Sequence, residues 1–126
     1  MIIGAHVLIY SSDPELDRAF FRDALGFPYV DVAHGWLIFK LPPAETAVHP
    51  AESTDARQVH AGHRLQGAVL YLMSNDLSAE IASLKSKGIQ CTEIEEAPWG
   101  LKTTIKLPSG GEIGLYQPKH ATALGL

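Results

Sequence analysis

The hydrophobic pattern changes period several times along the chain, and the same changes come twice. Residues 4–13, GAHVLIYSSD, hold an apolar run that ends in a small polar pair and an aspartate, and residues 67–76, GAVLYLMSND, repeat that design. The offset is 63 residues (67 against 4), which sets His6 opposite Val69 and Asp13 opposite Asp76. A short apolar run bounded by turn residues reads as a buried strand. Helical spacing follows each run. In the first copy Leu16, Ala19, Phe20 and Ala24 fall on one face behind Ser12-Asp13-Pro14-Glu15, a capping box with proline inside the first turn. In the second, Leu77, Ile81 and Leu84 form the stripe, and Asn75 or Asp76 supplies the cap. Glycine stops both helices, in Leu25-Gly26-Phe27 and in Lys87-Gly88-Ile89.

After each helix the pattern predicts three strands: 27–33, 35–41 and 45–49 in the first half, and 89–95, 101–107 and 112–117 in the second. The turns between them are Ala33-His34-Gly35, Pro42-Pro43, Ala97-Pro98-Trp99-Gly100 and Ser109-Gly110-Gly111. The predicted fold is therefore α+β, with two tandem β-α-β-β-β modules forming a curved mixed sheet around a concave cavity. A single domain spans 1–126, with one module at 1–50, a polar linker at 51–65, a second module at 66–118 and a tail at 119–126. The tail, KHATALGL, reads as frayed or as packing on a partner. A partly apolar concave face is where a small-molecule site sits.

Composition narrows the partners. The chain is 46% hydrophobic and 19% charged, ordinary for a soluble globular protein. The net charge is -4 and the basic residues are dispersed, which argues against a nucleic-acid footprint. The apolar stretch MIIGAHVLIY is too short to span a bilayer and reads as a strand, so no membrane partner is expected. The lone Cys91 excludes an internal disulfide and a Cys-rich metal site, and suits a reducing, cytoplasmic setting. With no base or helix start beside it, Cys91 reads as a buried, inert thiol.

Two stretches carry a resemblance. HVLIYSSDPELDRAFFRDALGFPYV has an early His6, Asp13 before the helix, Phe20-Phe21 and Leu25-Gly26-Phe27; PWGLKTTIKLPSGGEIGLYQP has Pro98-Trp99-Gly100 and a glycine turn before the last strand. In this order they resemble the vicinal oxygen chelate superfamily of glyoxalases, extradiol dioxygenases, fosfomycin-resistance enzymes and bleomycin-resistance proteins. The resemblance covers about residues 2–118. In metal-using members it implies four ligand positions, on the first and last strands of each module. Together they hold one divalent ion (Fe, Mn, Ni, Co or Zn) that polarises paired substrate oxygens.

Carried onto this chain, those positions are His6, Thr46, Val69 and Gly114. His6 is a strong ligand, whereas a stable site needs about three. Glu112 shares a strand face with Gly114, about 6–7 Å back along the strand. Glycine there would leave Glu112 room to lean toward His6, and a third donor would have to come from His49, His60 or His63. His6 and Glu112 are thus the candidate catalytic pair, and the candidate metal ligands if the site has been rebuilt. Leu8, Tyr10, Val69, Tyr71, Trp99, Gly114 and Tyr116 are the candidate ligand-binding positions, while Trp36 reads as packing. The expectation is a protein with a degenerate metal site that binds a small organic molecule and needs no cofactor. The alternatives are a divalent-metal lyase, isomerase or ring-cleaving dioxygenase using His6 and Glu112, and a metal-free acid–base enzyme. The resemblance also implies a homodimer.

Overall fold

Both helices begin in the same way. A computed structural model describes residues 1, 4–50, 59–60, 62–64 and 67–126. In it, Asp13 caps α1 (Pro14–Ala19) by accepting from Leu16 N, and Asp76 caps α2 (Leu77–Ser86) by accepting from Ala79 N. Ser11 Oγ in turn accepts from Asp13 N, and Ser74 Oγ from Asp76 N, so the repeat extends to the bond that positions each cap. Gly26 (φ 68°) and Gly88 (φ 79°) take the left-handed conformation that ends each helical stretch.

The first helix departs from its predicted face. Leu16 is half exposed, whereas Asp17 is buried together with Phe20 and Phe21. The Asp17 carboxylate accepts from Ser109 N (3.1 Å) and Ser109 Oγ (2.7 Å), so its burial is matched by two charge-assisted hydrogen bonds. After α1 the chain widens into a π-helical turn, Phe20–Ala24, in which Leu25 N bonds back to Phe20 O. The adjacent rings of Phe20 and Phe21 meet edge to face there, 5.7 Å between centroids.

Strands β1 (Tyr29–Asp31) and β2 (Leu37–Phe39) form an antiparallel hairpin, and β3 (Val59–His60) and β4 (His63–Arg64) form another. The main sheet has the order β5-β8-β7-β6, built from β5 (Tyr71–Met73), β6 (Glu95–Ala97), β7 (Gly100–Lys106) and β8 (Glu112–Pro118). β8 runs parallel to β5 and antiparallel to β7. Side chains alternate across a strand. Ile105 of β7 with Ile113 and Leu115 of β8 therefore face Leu77 and Leu84 of α2, and Phe20 and Phe21 join the same core. Tyr71, Gly114, Tyr116, Lys102 and Thr104 occupy the opposite face, called the open face below.

The second copy follows its predicted strands more closely than the first. Residues 4–10 and 45–49 form no strand, and the predicted 27–33 and 35–41 shrink to β1 and β2. In the second half, 89–95 is reduced to an isolated bridge between Cys91 and Ile105, and β6 begins at Glu95. The missing fourth strand has a local cause. Pro42-Pro43 stands where the second copy has Gly110-Gly111; proline has no N–H, and Glu and Ala after it are poor strand formers. Without that strand, residues 4–10 lack the parallel partner that β8 gives β5.

His60 and His63 are register partners across the β3–β4 hairpin, so a hairpin and not a helix brings them together. Residues 51–58, 61, 65 and 66 of the predicted linker lie outside the described residues, as do Ile2 and Ile3 of the predicted first strand. In the tail, Lys119 N donates to Trp99 O and Ala123 N to Glu45 Oε2. Among the described residues no helix is long and apolar enough to cross a membrane.

Candidate functional site

Gly114 on β8 stands opposite Tyr71 on β5, in the middle of the open face. A Cβ added at Gly114 would clash with the Tyr71 ring, most closely with its Cδ1 and Cε1 atoms. The glycine is therefore covered by an aromatic ring from the neighbouring strand, which supplies the contacts a glycine cannot make for itself. The room that Glu112 was expected to use is taken by Tyr71. Glu112 is exposed at the start of β8, opposite Lys106 in the register.

Three rings gather above this glycine. Tyr71 and Trp99 have centroids 6.0 Å apart, Tyr71 and Tyr116 5.5 Å, and Trp99 and Tyr116 5.3 Å. Their planes cross at 83°, 85° and 73°, the edge-to-face arrangement that ring quadrupoles favour. Tyr116 forms a buried base at 9% exposure, while Tyr71 (37%) and Trp99 (38%) stay open to solvent. Gly100 permits this packing, because a Cβ there would lie 2.5 Å from Gln117 O and 3.2 Å from the Tyr116 ring. Lys102 Nζ is 5.7 Å from the Trp99 ring centroid and 3.4 Å from Glu95, a cation held between a ring and a carboxylate. Tyr116 OH lies 3.1 Å from His120 Nε2. Burial first, then the negative charge of Glu45 and the Tyr71 hydroxyl, pushes the Tyr116 hydroxyl above its ordinary pKa.

Tyr71, Trp99, Gly114 and Tyr116, all named from the sequence, are thus brought together. His6, Leu8 and Tyr10 lie in the exposed 4–10 segment, and Val69 is exposed at 61%. Among the described residues no three His, Cys, Asp or Glu side chains converge as metal donors would. His49 is exposed, with Nδ1 2.8 Å from Pro50 O, and His63 is exposed on β4. Trp36 does not pack in the core; it is 55% exposed, with the Arg18 guanidinium 4.7 Å over its ring. Cys91 is half-buried, and burial raises its thiol pKa, as expected of an inert thiol.

Lys102, Glu45 and His120 are site residues that sequence reasoning missed. Lys102 could have been found, since alternation along β7 puts it on the face of Tyr116. His120 lies in the tail, and Glu45 opens the predicted strand 45–49 that the structure does not form, so neither could be placed at the cluster by strand alternation. On the helix side, a cleft of about 250 Å³ lies between Leu25 and Phe27 of the first half and Leu84 and Lys87 of α2. The Lys87 ammonium there is already bonded to Ala24 O.

The model of the Glyoxalase/Bleomycin resistance protein/Dioxygenase superfamily matches residues 4–115. The chain belongs to this superfamily. Its mixed, unclosed sheet agrees with solved structures of similar fold. One is TnmS3, an antibiotic binding protein from Streptomyces sp. CB03234, with TM-score 0.63 and 23% identity over 94% of this chain and 99% of that one. A second is a lactoylglutathione lyase from Agrobacterium tumefaciens, with TM-score 0.62 and 17% identity over 91% and 92%. A third is a superfamily member from Sphaerobacter thermophilus DSM 20745, with TM-score 0.60 and 24% identity over 92% and 98%. At these identities the likeness is one of fold. No curated protein sequence matches the chain.

Proposed function

We propose that this superfamily member binds a small, flat organic molecule on the open face of its sheet, on the platform of Tyr71, Trp99 and Tyr116, without the usual metal centre. The observation that carries this reading is the seating of Tyr71 on Gly114. Metal-using relatives place a carboxylate at that position, and here an aromatic ring fills the space a side chain would need. The donor chemistry agrees: of the four ligand positions, Val69 and Gly114 offer no donor atom and Thr46 offers only a hydroxyl. These residues do not fit a divalent ion held in the family manner. A related fold is that of an antibiotic binding protein, and another is that of a lyase. The platform favours the binder, because edge-to-face aromatic rings offer apolar surface to a flat molecule and supply no strong base or ligand.

We read the chain as one domain of two modules that works as a homodimer in a reducing, cytoplasmic setting. Val7, Leu8, Tyr10 and Val69 are each about half exposed or more, apolar side chains that a second copy of the chain would cover. Sedimentation should give twice the 13.6 kDa chain mass, and a monomer at micromolar concentration would overturn the dimer. For the ligand site, a Trp36→Phe chain leaves Trp99 as the fluorescent reporter, since the sequence has 2 tryptophans. Naphthalene should quench it saturably, with at least about tenfold weaker binding after Tyr71→Ala. Near-stoichiometric divalent metal in protein purified without chelator, lost in His6→Ala, would instead establish the rebuilt site.

A further inference from the structure

The C-terminal tail turns back over the aromatic cluster and is pinned at both ends. Lys119 N donates to Trp99 O at 2.9 Å, and its ammonium meets Glu96 at 2.6 Å. Ala123 N donates to Glu45 Oε2 at 2.6 Å, which ties the tail to the first half of the chain. Between these anchors the His120 ring stacks beside Tyr116, with centroids 5.9 Å apart and planes inclined by 28°. Its neighbours select the tautomer. Ala121 O, 2.8 Å from Nδ1, can only accept, so Nδ1 carries the proton of the neutral ring. Nε2 is then a bare acceptor, and Tyr116 OH donates to it across 3.1 Å.

The tail is exposed from 119 to 126, and none of its side chains joins the core. Apart from the part-buried bond and the ring stack between His120 and Tyr116, its side-chain contacts are exposed, and a segment held in this way opens at low free energy. His120 is therefore a flat ring with an sp² nitrogen, kept on the part-buried hydroxyl of the cluster by an exposed tether. A hydrocarbon ring displacing it would strand the Tyr116 hydroxyl without a partner, whereas a ring with its own nitrogen acceptor would not. Glu45 lies close enough to act on Tyr116, and its charge disfavours an anionic ring.

We infer that His120 is an internal stand-in for the ligand, and that the cluster accepts a neutral nitrogen heteroaromatic in exchange for it. The inference rests on the small-molecule reading above and adds the chemical class. The test uses the full chain carrying Trp36→Phe, with quinoline and its nitrogen-free counterpart naphthalene as probes of Trp99 fluorescence. Removing the internal competitor by His120→Ala should tighten quinoline binding by roughly tenfold. It should also leave quinoline preferred over naphthalene by about 3- to 10-fold, the range one neutral hydrogen bond provides. Adding Tyr116→Phe should erase that preference while both rings still bind. Glu45→Ala, which cuts the second anchor and leaves the His120 ring intact, should shift quinoline affinity in the same direction by a smaller factor. Unchanged quinoline affinity in both His120→Ala and Glu45→Ala overturns the inference. Equal tightening toward both probes overturns it as well, since the tail would then be a plain cover. If neither probe binds any of these proteins, the aromatic platform itself falls along with the inference.

Discussion

Residues 107–118 make a tight turn and then a seven-residue strand, whereas residues 41–50, which match 109–118 in the first copy, make neither. In the second copy Gly110 sits at φ 95° and donates its N–H to Leu107 O, while Leu107 N donates to Gly111 O. In the first copy Pro42 takes the place of Gly110, and proline can neither reach that φ nor donate. The helix caps, by contrast, are the same in both copies down to the serine behind each aspartate. The two copies thus share the caps, whose residues they have in common, and differ at the strand whose turn residues have been exchanged. Even the shared endings differ in use: Gln117 Oε1 accepts from Leu77 N at the start of α2, while His49 Nδ1 lies 2.8 Å from the carbonyl oxygen of its neighbour Pro50.

The largest effect should come from moving the first copy's turn chemistry into the second. Gly110→Pro forbids the observed φ and deletes the bond to Leu107 O, and should cost about 3 kcal/mol or more in a urea midpoint experiment. Pro42→Gly, on an exposed segment without a strand, should change stability by less than about 1 kcal/mol. Equal losses in the two variants would break the comparison.

Next comes a contact that joins the two copies. Asp17→Ala removes both hydrogen bonds to Ser109 and should cost about 2–3 kcal/mol. A double-mutant cycle with Ser109→Ala should show that the two losses are not additive. This contact explains what the sequence withheld. Apolar spacing put Leu16 on the inner face of α1, but a partner 92 residues away turned Asp17 inward instead. The caps, the glycine stops and the shared face of Tyr71, Gly114 and Tyr116 were legible, because each follows from local spacing or strand alternation. His120 and Glu45 were not legible, because the fold of the tail brings them to Tyr116 and no pattern within either segment points there.

The two open-face glycines should separate by about a factor of two. Gly100→Ala drives a Cβ against the backbone oxygen of Gln117, which cannot step aside, and should cost about 2–3 kcal/mol. Gly114→Ala meets the Tyr71 ring first, which is partly exposed and can swing outward, so about 1 kcal/mol is expected. Tyr71→Ala in the Gly114→Ala background should then cost less than Tyr71→Ala alone. Asp13→Ala and Asp76→Ala should each cost about 1 kcal/mol, and equal values in thermal unfolding would confirm that the two copies share their caps.

The smallest expected effect is a titration, and it separates the buried base of the cluster from its exposed walls. The Tyr116 pKa lies above the ordinary tyrosine value of about 10, because burial, and after it the Glu45 charge, disfavours the phenolate. A group whose folded pKa is raised contributes stability that is fully present below its unfolded pKa. That contribution fades as pH rises through the folded pKa, so Tyr116 should hold the fold from neutral pH up to about 10 and weaken it above. Phenolate absorbance should show a late-ionising phase that vanishes in Tyr116→Phe. Glu45→Gln should move that phase only part of the way back, since burial is the larger cause. A full return to the ordinary value in Glu45→Gln would mean that charge, and not burial beneath Tyr71 and Trp99, sets the behaviour of this hydroxyl.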